Sequence, residues 1–97
     1  MPTYVTLHKL TAQGSGRIEE SPSRVEAARK IARELGGELK ALYPVMGRYD
    51  FVGLLEAPDD ETAARVSLAF GRRGNVSTET LRAFTEADWR RLTADLP

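Results

Sequence analysis

The chain contains no cysteine and a single histidine, His8. The first absence removes disulfides, thiolate metal sites and cysteine nucleophiles together, and one imidazole cannot build a histidine-rich metal cluster. Neither a metal nor a cofactor is expected. Gly14 and Gly16 do not make a dinucleotide loop, which requires another glycine three residues on, where Glu19 stands. Charge of one sign is also missing: fourteen Lys and Arg balance fourteen Asp and Glu. No net field gathers phosphate backbones, so no nucleic-acid partner is expected. No apolar run approaches the ~20 residues of a membrane span, and Met1 to Leu10 lacks a basic segment followed by an apolar one. These absences predict a cytoplasmic protein without a membrane partner. Ninety-seven residues suffice for one core, so a single domain over residues 1–97 is expected.

What is present alternates between two periods. Tyr4 to Leu10 interleaves branched or aromatic side chains with polar ones, the period of a half-buried strand. Thr11 to Ser21 has no sustained apolar spacing and reads as a loop or a frayed turn before a helix. Ser23 and Glu26 have the spacing of a capping box, which predicts the start of a helix whose face is Val25, Ala28, Ala32 and Leu35. Gly36 and Gly37 end it. Glu38 to Met46 and Phe51 to Leu55 read as two strands of a hairpin joined by Gly47 Arg48 Tyr49 Asp50. Asp59, Asp60 and Glu61 stand where a helix N-terminus favours negative charge, and so are read as caps rather than as metal ligands. That helix buries Ala63, Val66 and Phe70 and ends on Arg72, Arg73 and Gly74. Val76 to Phe84 is the last strand, and Thr85 with Asp88 opens a terminal helix carrying Trp89, Leu92 and Leu96.

Two strand-helix-strand crossovers around a hairpin predict an α+β, ferredoxin-like βαββαβ domain with sheet order 4-1-3-2 and an extra C-terminal helix. Both main helices then cover one sheet face, and the other is open unless the terminal helix or a second subunit covers it.

Gly47 Arg48 Tyr49 Asp50, together with Pro2 to Leu7, Ser21 Pro22, Gly36 Gly37, Glu56 to Glu61, Gly74 Asn75 Val76 and Thr80 to Thr85, resembles the GYD domain proteins, small proteins of bacteria and archaea. The resemblance spans nearly the whole chain. It departs at Gly14 Ser15 Gly16, where similar proteins continue with a larger side chain into a helical turn. It implies a ferredoxin-like fold and association through sheet faces, of the dimeric α+β barrel type, and it brings no established catalytic residue.

Strand parity puts Tyr4, Thr6 and His8 on the row opposite Val5 and Leu7; the aliphatic row is expected to face the helices and His8 the open face. Thr80 and Arg82 of the last strand fall beside Thr6 and His8 in this assignment, and an Arg among hydroxyls suits a carboxylate or phosphate. Tyr43, Tyr49 and Asp50 gather at the hairpin end. The ligand-binding candidates are therefore Thr6, His8, Tyr43, Tyr49, Asp50, Thr80 and Arg82. RNA recognition is disfavoured because the central strands lack the stacked aromatic pair. The favoured reading is a homo-oligomerising module, a dimer or larger, that binds a small anionic or aromatic molecule on its open face. The alternative is a cofactor-independent enzyme, monooxygenase-like or isomerase-like, with His8 as general base.

Overall fold

In the computed structural model, which describes residues 1–97, the chain runs through β1 (Thr3–Leu10), the one-turn helix α1 (Ala12–Ser15), a 3-10 turn at Ile18–Glu20, α2 (Ser21–Glu34), β2 (Glu38–Pro44), β3 (Phe51–Glu56), α3 (Asp60–Arg72), β4 (Val76–Ala83) and α4 (Glu86–Thr93). The sheet has four antiparallel strands in the order β2-β3-β1-β4. Read from the other edge, this is the 4-1-3-2 order expected of the ferredoxin-like topology.

Local chemistry sets the helix boundaries. Asp59 caps α3 by accepting from the Thr62 amide at 2.8 Å, Asp60 and Glu61 occupy the first turn and Arg72 the last, each on the end of the dipole that favours it. Helix α4 begins with a complete capping box between Thr85 and Asp88. Helix α2 differs from expectation. It starts at Ser21 with Pro22 in its first turn, where a missing N–H costs nothing. Ser23 is thus already inside the helix and its hydroxyl donates to the Glu20 carbonyl, so the Ser23/Glu26 box does not form.

The expected loop over Thr11 to Ser21 is largely helical. Thr11 caps α1 through its hydroxyl, accepting from the Gly14 amide, and anchors the segment to the end of α3 by donating to the Gly74 carbonyl at 2.6 Å. A side chain at Gly14 would collide with the Asn75 carbonyl oxygen. The glycine that weakens the helical pattern is what lets this turn lie against the chain before β4. Strand β2 stops at Pro44, two residues short of expectation, because Val45 turns to donate to the Asp50 carbonyl at 2.9 Å.

The core lies between the sheet and α2 and α3. Tyr4, Leu39 and Leu55 project from the sheet onto Ala32, Ala63, Val66 and Phe70. Which row of β1 projects there is the main correction to the sequence reading. Tyr4, Thr6 and His8 are buried beneath the helices, whereas Val5 and Leu7 face the uncovered side. The Tyr4 hydroxyl donates to Asp60 of α3 at 2.5 Å, and the His8 ring stacks, tilted, 5.8 Å from that of Phe70. Alternation separates two rows but does not say which is inside. Here the helices supply partners for the polar row, and the aliphatic row is left out.

An irregularity in β2 completes the arrangement. Leu39 pairs with Leu55 and Ala41 with Leu54, leaving Lys40 as an extra residue. This bulge restores the phase: Leu39 and Leu42 turn inward, while Ala41 and Tyr43 turn to the uncovered face. Helix α4 has no buried residue, and Trp89 is 62% exposed. No helix is long and apolar enough to cross a membrane.

Candidate functional site

The expected cluster divides between the two faces of the sheet. On the uncovered face, the register aligns Val5 with Leu54 and Leu81, and Leu7 with Val52 and Glu79. Tyr43 adjoins Val52 from β2. The result is an apolar surface on which Leu54, Leu81 and Tyr43 are 37%, 44% and 58% exposed. Beyond the end of β4, Phe84, Trp89 and Leu92 are exposed as well.

The turn Gly47 to Asp50 borders that surface. Gly47 has φ +115°, a left-handed backbone that a side chain would strain. Asp50 then ties the turn to β1 twice: its amide donates to the His8 carbonyl at 2.8 Å and its Oδ2 accepts from the Leu10 amide at 2.7 Å. Tyr49 reaches across to β4 and donates to Glu79 at 2.7 Å. The Glu79 carboxylate raises the phenol's pKa by accepting its hydrogen bond and opposing a second negative charge. Glu79 is a residue that sequence reasoning passes over, since its parity puts it on the face assumed to be covered.

On the helix side stand Thr6, His8, Thr80 and Arg82, not on the open face where they were expected. Thr6 is fully buried and its Oγ1 lies 2.8 Å from His8 Nε2. Burial pushes the His8 pKa down to about 4, because the charged ring loses its water. It is therefore neutral at pH 7. Thr80 hydrogen-bonds Ser67 of α3. Arg82 pairs in register with Tyr4, four residues along the strand from His8, or about 13 Å away. Its guanidinium stacks 5.6 Å from the Tyr4 ring centre and 4.7 Å from that of Phe84, and donates to the Ala83 carbonyl. Burial pushes the Tyr4 phenol up to about 12, with Asp60 adding to the shift. The grouping of His8 with Tyr49 and Arg82 as a general base and oxyanion holders does not form.

The turn, its tyrosine and its doubly anchored aspartate are the features that name a family, and a family model described as GYD domain matches residues 4–93. The chain belongs to the GYD domain family. Among family relatives, it is similar to the glutamine synthetase and cystathionine beta-lyase binding protein of Thermus thermophilus, with 40% identity over 89 residues, covering 91% of this chain and 94% of that protein. It is also similar to the crystal structure of TTHA0845, from the same organism, with a TM-score of 0.58 and 29% identity over 88% of this chain and 95% of the other. The fold alone is shared with MtbAldR, with a TM-score of 0.67 and 15% identity; the match covers 88% of this GYD chain and 52% of MtbAldR. This chain thus spans about half the length of that protein.

The helix side also holds a cleft. It opens between α2, the end of α3 and the sheet, and its wall includes His8, Arg24, Phe51, Phe70 and Arg73. Sequence reading assigns Arg73 wholly to the dipole of α3 and Arg24 to the solvated face of α2. Only the packing of α2 beside α3 brings the two to one cleft.

Proposed function

We propose that this GYD chain is a non-catalytic binding module, which pairs with a second copy through its uncovered sheet face and in that form docks onto an enzyme of amino-acid metabolism. The observation that carries the reading is the row of Val5, Leu7, Leu54 and Leu81 left outside the core. Contiguous apolar surface of this kind is characteristic of interfaces, and a twofold-related copy is the commonest cover. Two exposed sheets laid face to face remove both aliphatic rows from water at once. Trp89 and Leu92 of helix α4, exposed in the single chain, offer further apolar surface to such an interface. The relative's name supports the second half of the reading, since that protein is a binding protein for glutamine synthetase and cystathionine beta-lyase.

Sedimentation and enzyme capture test the two halves separately. The wild type is expected to sediment as a dimer or larger, and Leu81→Arg as a folded monomer with an unchanged far-UV spectrum. Immobilised wild type is expected to retain purified glutamine synthetase or cystathionine beta-lyase, and Leu81→Arg to retain much less. A monomeric wild type overturns the pairing. Capture of neither enzyme overturns the choice of partner.

A further inference from the structure

We propose that the cleft between the helices and the covered sheet face binds a small carboxylic acid with an apolar body, such as an aryl or branched-alkyl carboxylate. The site lies within one chain and does not depend on the pairing described above. Its cavity of about 70 Å³ is open to solvent on one side, which suits a small molecule rather than a drug-sized one. Val25, Ala28 and Ile31 of α2 face Phe51, Phe70 and Val76 across it. Such walls accept a ring or a branched alkyl group and offer it no polar partner.

The polar groups at the cleft decide the ligand's charge. Most are already committed. Arg24 donates to the Gly14 and Arg17 carbonyls and pairs with Glu20, Ser21 donates to the Ile18 carbonyl, and Asn75 accepts from Gln13. Besides the Asn75 side-chain NH2, two groups are left. Arg73 is exposed and its guanidinium makes no ion pair or hydrogen bond within the chain. His8 uses Nε2 on Thr6, while Nδ1 has no partner; since no sealed polar atom is left unsatisfied, Nδ1 retains access to the cleft.

No carboxylate lines the cleft. An ammonium group therefore meets no counter-charge there, which selects simple carboxylates over amino acids. The free guanidinium at the mouth suits a carboxylate, whose two oxygens match its paired donors. His8 Nδ1 is the inner hydrogen-bonding atom, set in an otherwise apolar wall. A ligand held by Arg73 thus lays its apolar body along Ile31 and Phe70 with one polar contact available at its far end.

Phenylacetate, its neutral isostere phenylacetamide, and phenylalanine are the probes, titrated into isotopically labelled full-length protein and followed by two-dimensional NMR. Phenylacetate is expected to shift the Ala28, Ile31 and Phe70 amides and the His8 ring signals, and to bind about tenfold tighter than either of the others. Arg73→Gln is expected to remove that tenfold advantage while leaving phenylacetamide binding unchanged, a difference that a merely structural role for Arg73 does not produce. Ala28→Trp fills the cleft and is expected to abolish binding of all three, with a retained spectrum as the check on folding. The proposal is overturned by any of three results: no shift of the cleft signals at millimolar phenylacetate, equal affinity for acid and amide, or an acid affinity that survives Arg73→Gln.

Discussion

The two faces of the one sheet invert the usual distribution of polarity. Beneath the helices lie a tyrosine, a threonine and a histidine on β1; outside lie a valine and a leucine, flanked by two further leucines. The covered row is tolerable because its polar side chains are paired, Tyr4 with Asp60, Thr6 with His8, and Thr80 with Ser67, leaving only His8 Nδ1 to the cleft. The uncovered row has no such answer within one chain. Burial of polar groups is governed by whether they are satisfied, and exposure of aliphatic groups by whether something else covers them. The difference teaches that an isolated copy is well resolved on one face and unfinished on the other.

The sharpest way to break this contrast uses the neighbours Leu54 and Leu55, which point to opposite faces. Leu55 is fully buried, so Leu55→Ala is expected to cost about 2–5 kcal/mol of folding stability. Leu54→Ala is expected to cost roughly 1 kcal/mol or less under conditions where the chain is monomeric. Denaturant melts of the two variants in parallel decide the matter, and equal losses would erase the distinction between the faces.

Acid tests the covered row next. The folded state holds His8 neutral down to about pH 4, against an ordinary value of 6.5. Between those limits the unfolded chain binds the extra proton and the folded chain does not, so stability falls as pH is lowered through this window. The expected loss is about 3 kcal/mol. In His8→Gln that slope should vanish. Capping Asp59 and Asp88, whose pKa values are lowered chiefly by backbone amides, act in the same direction only below the ordinary carboxylate range. Chemical denaturation at a series of pH values separates the two windows.

The smallest effect is expected on the uncovered face. Tyr49→Phe removes the hydrogen bond to Glu79, but both groups stand in water. Thermal melting should barely move. A large drop in melting temperature would mean that the turn stabilises the chain from outside.

The topology was legible because it rests on elements with strong local signals. Asp59 and Thr85 mark helix starts by capping chemistry, and the strands alternate or run apolar over enough residues to be recognised. The site was legible only as a set of residues. Of the seven side chains expected on one face, Tyr43 and Tyr49 lie there, Asp50 ties the bordering turn to β1, and Thr6, His8, Thr80 and Arg82 are on the other side. One inverted parity on β1 carries Thr80 and Arg82 with it, since paired residues share a face. Nothing local to Tyr4 or His8 announces that Asp60 and Phe70, more than fifty positions away, will receive them. The bulge at Lys40 is equally silent, and it is why Tyr43 nonetheless reaches the face expected of it.

That bulge has a further effect at the sheet's rim. Strand β2 forms one edge, interrupted by Lys40 and ended by Pro44, which has no N–H to offer; β4 forms the other and carries neither device. Rims blunted by a lysine, a bulge or a proline resist strand addition. Of the two rims, only β4 therefore presents an uninterrupted run of backbone donors and acceptors to a strand approaching edge-on. The extra residue at Lys40 and the proline at Pro44 thus blunt one rim of the sheet against open-ended ribbon growth.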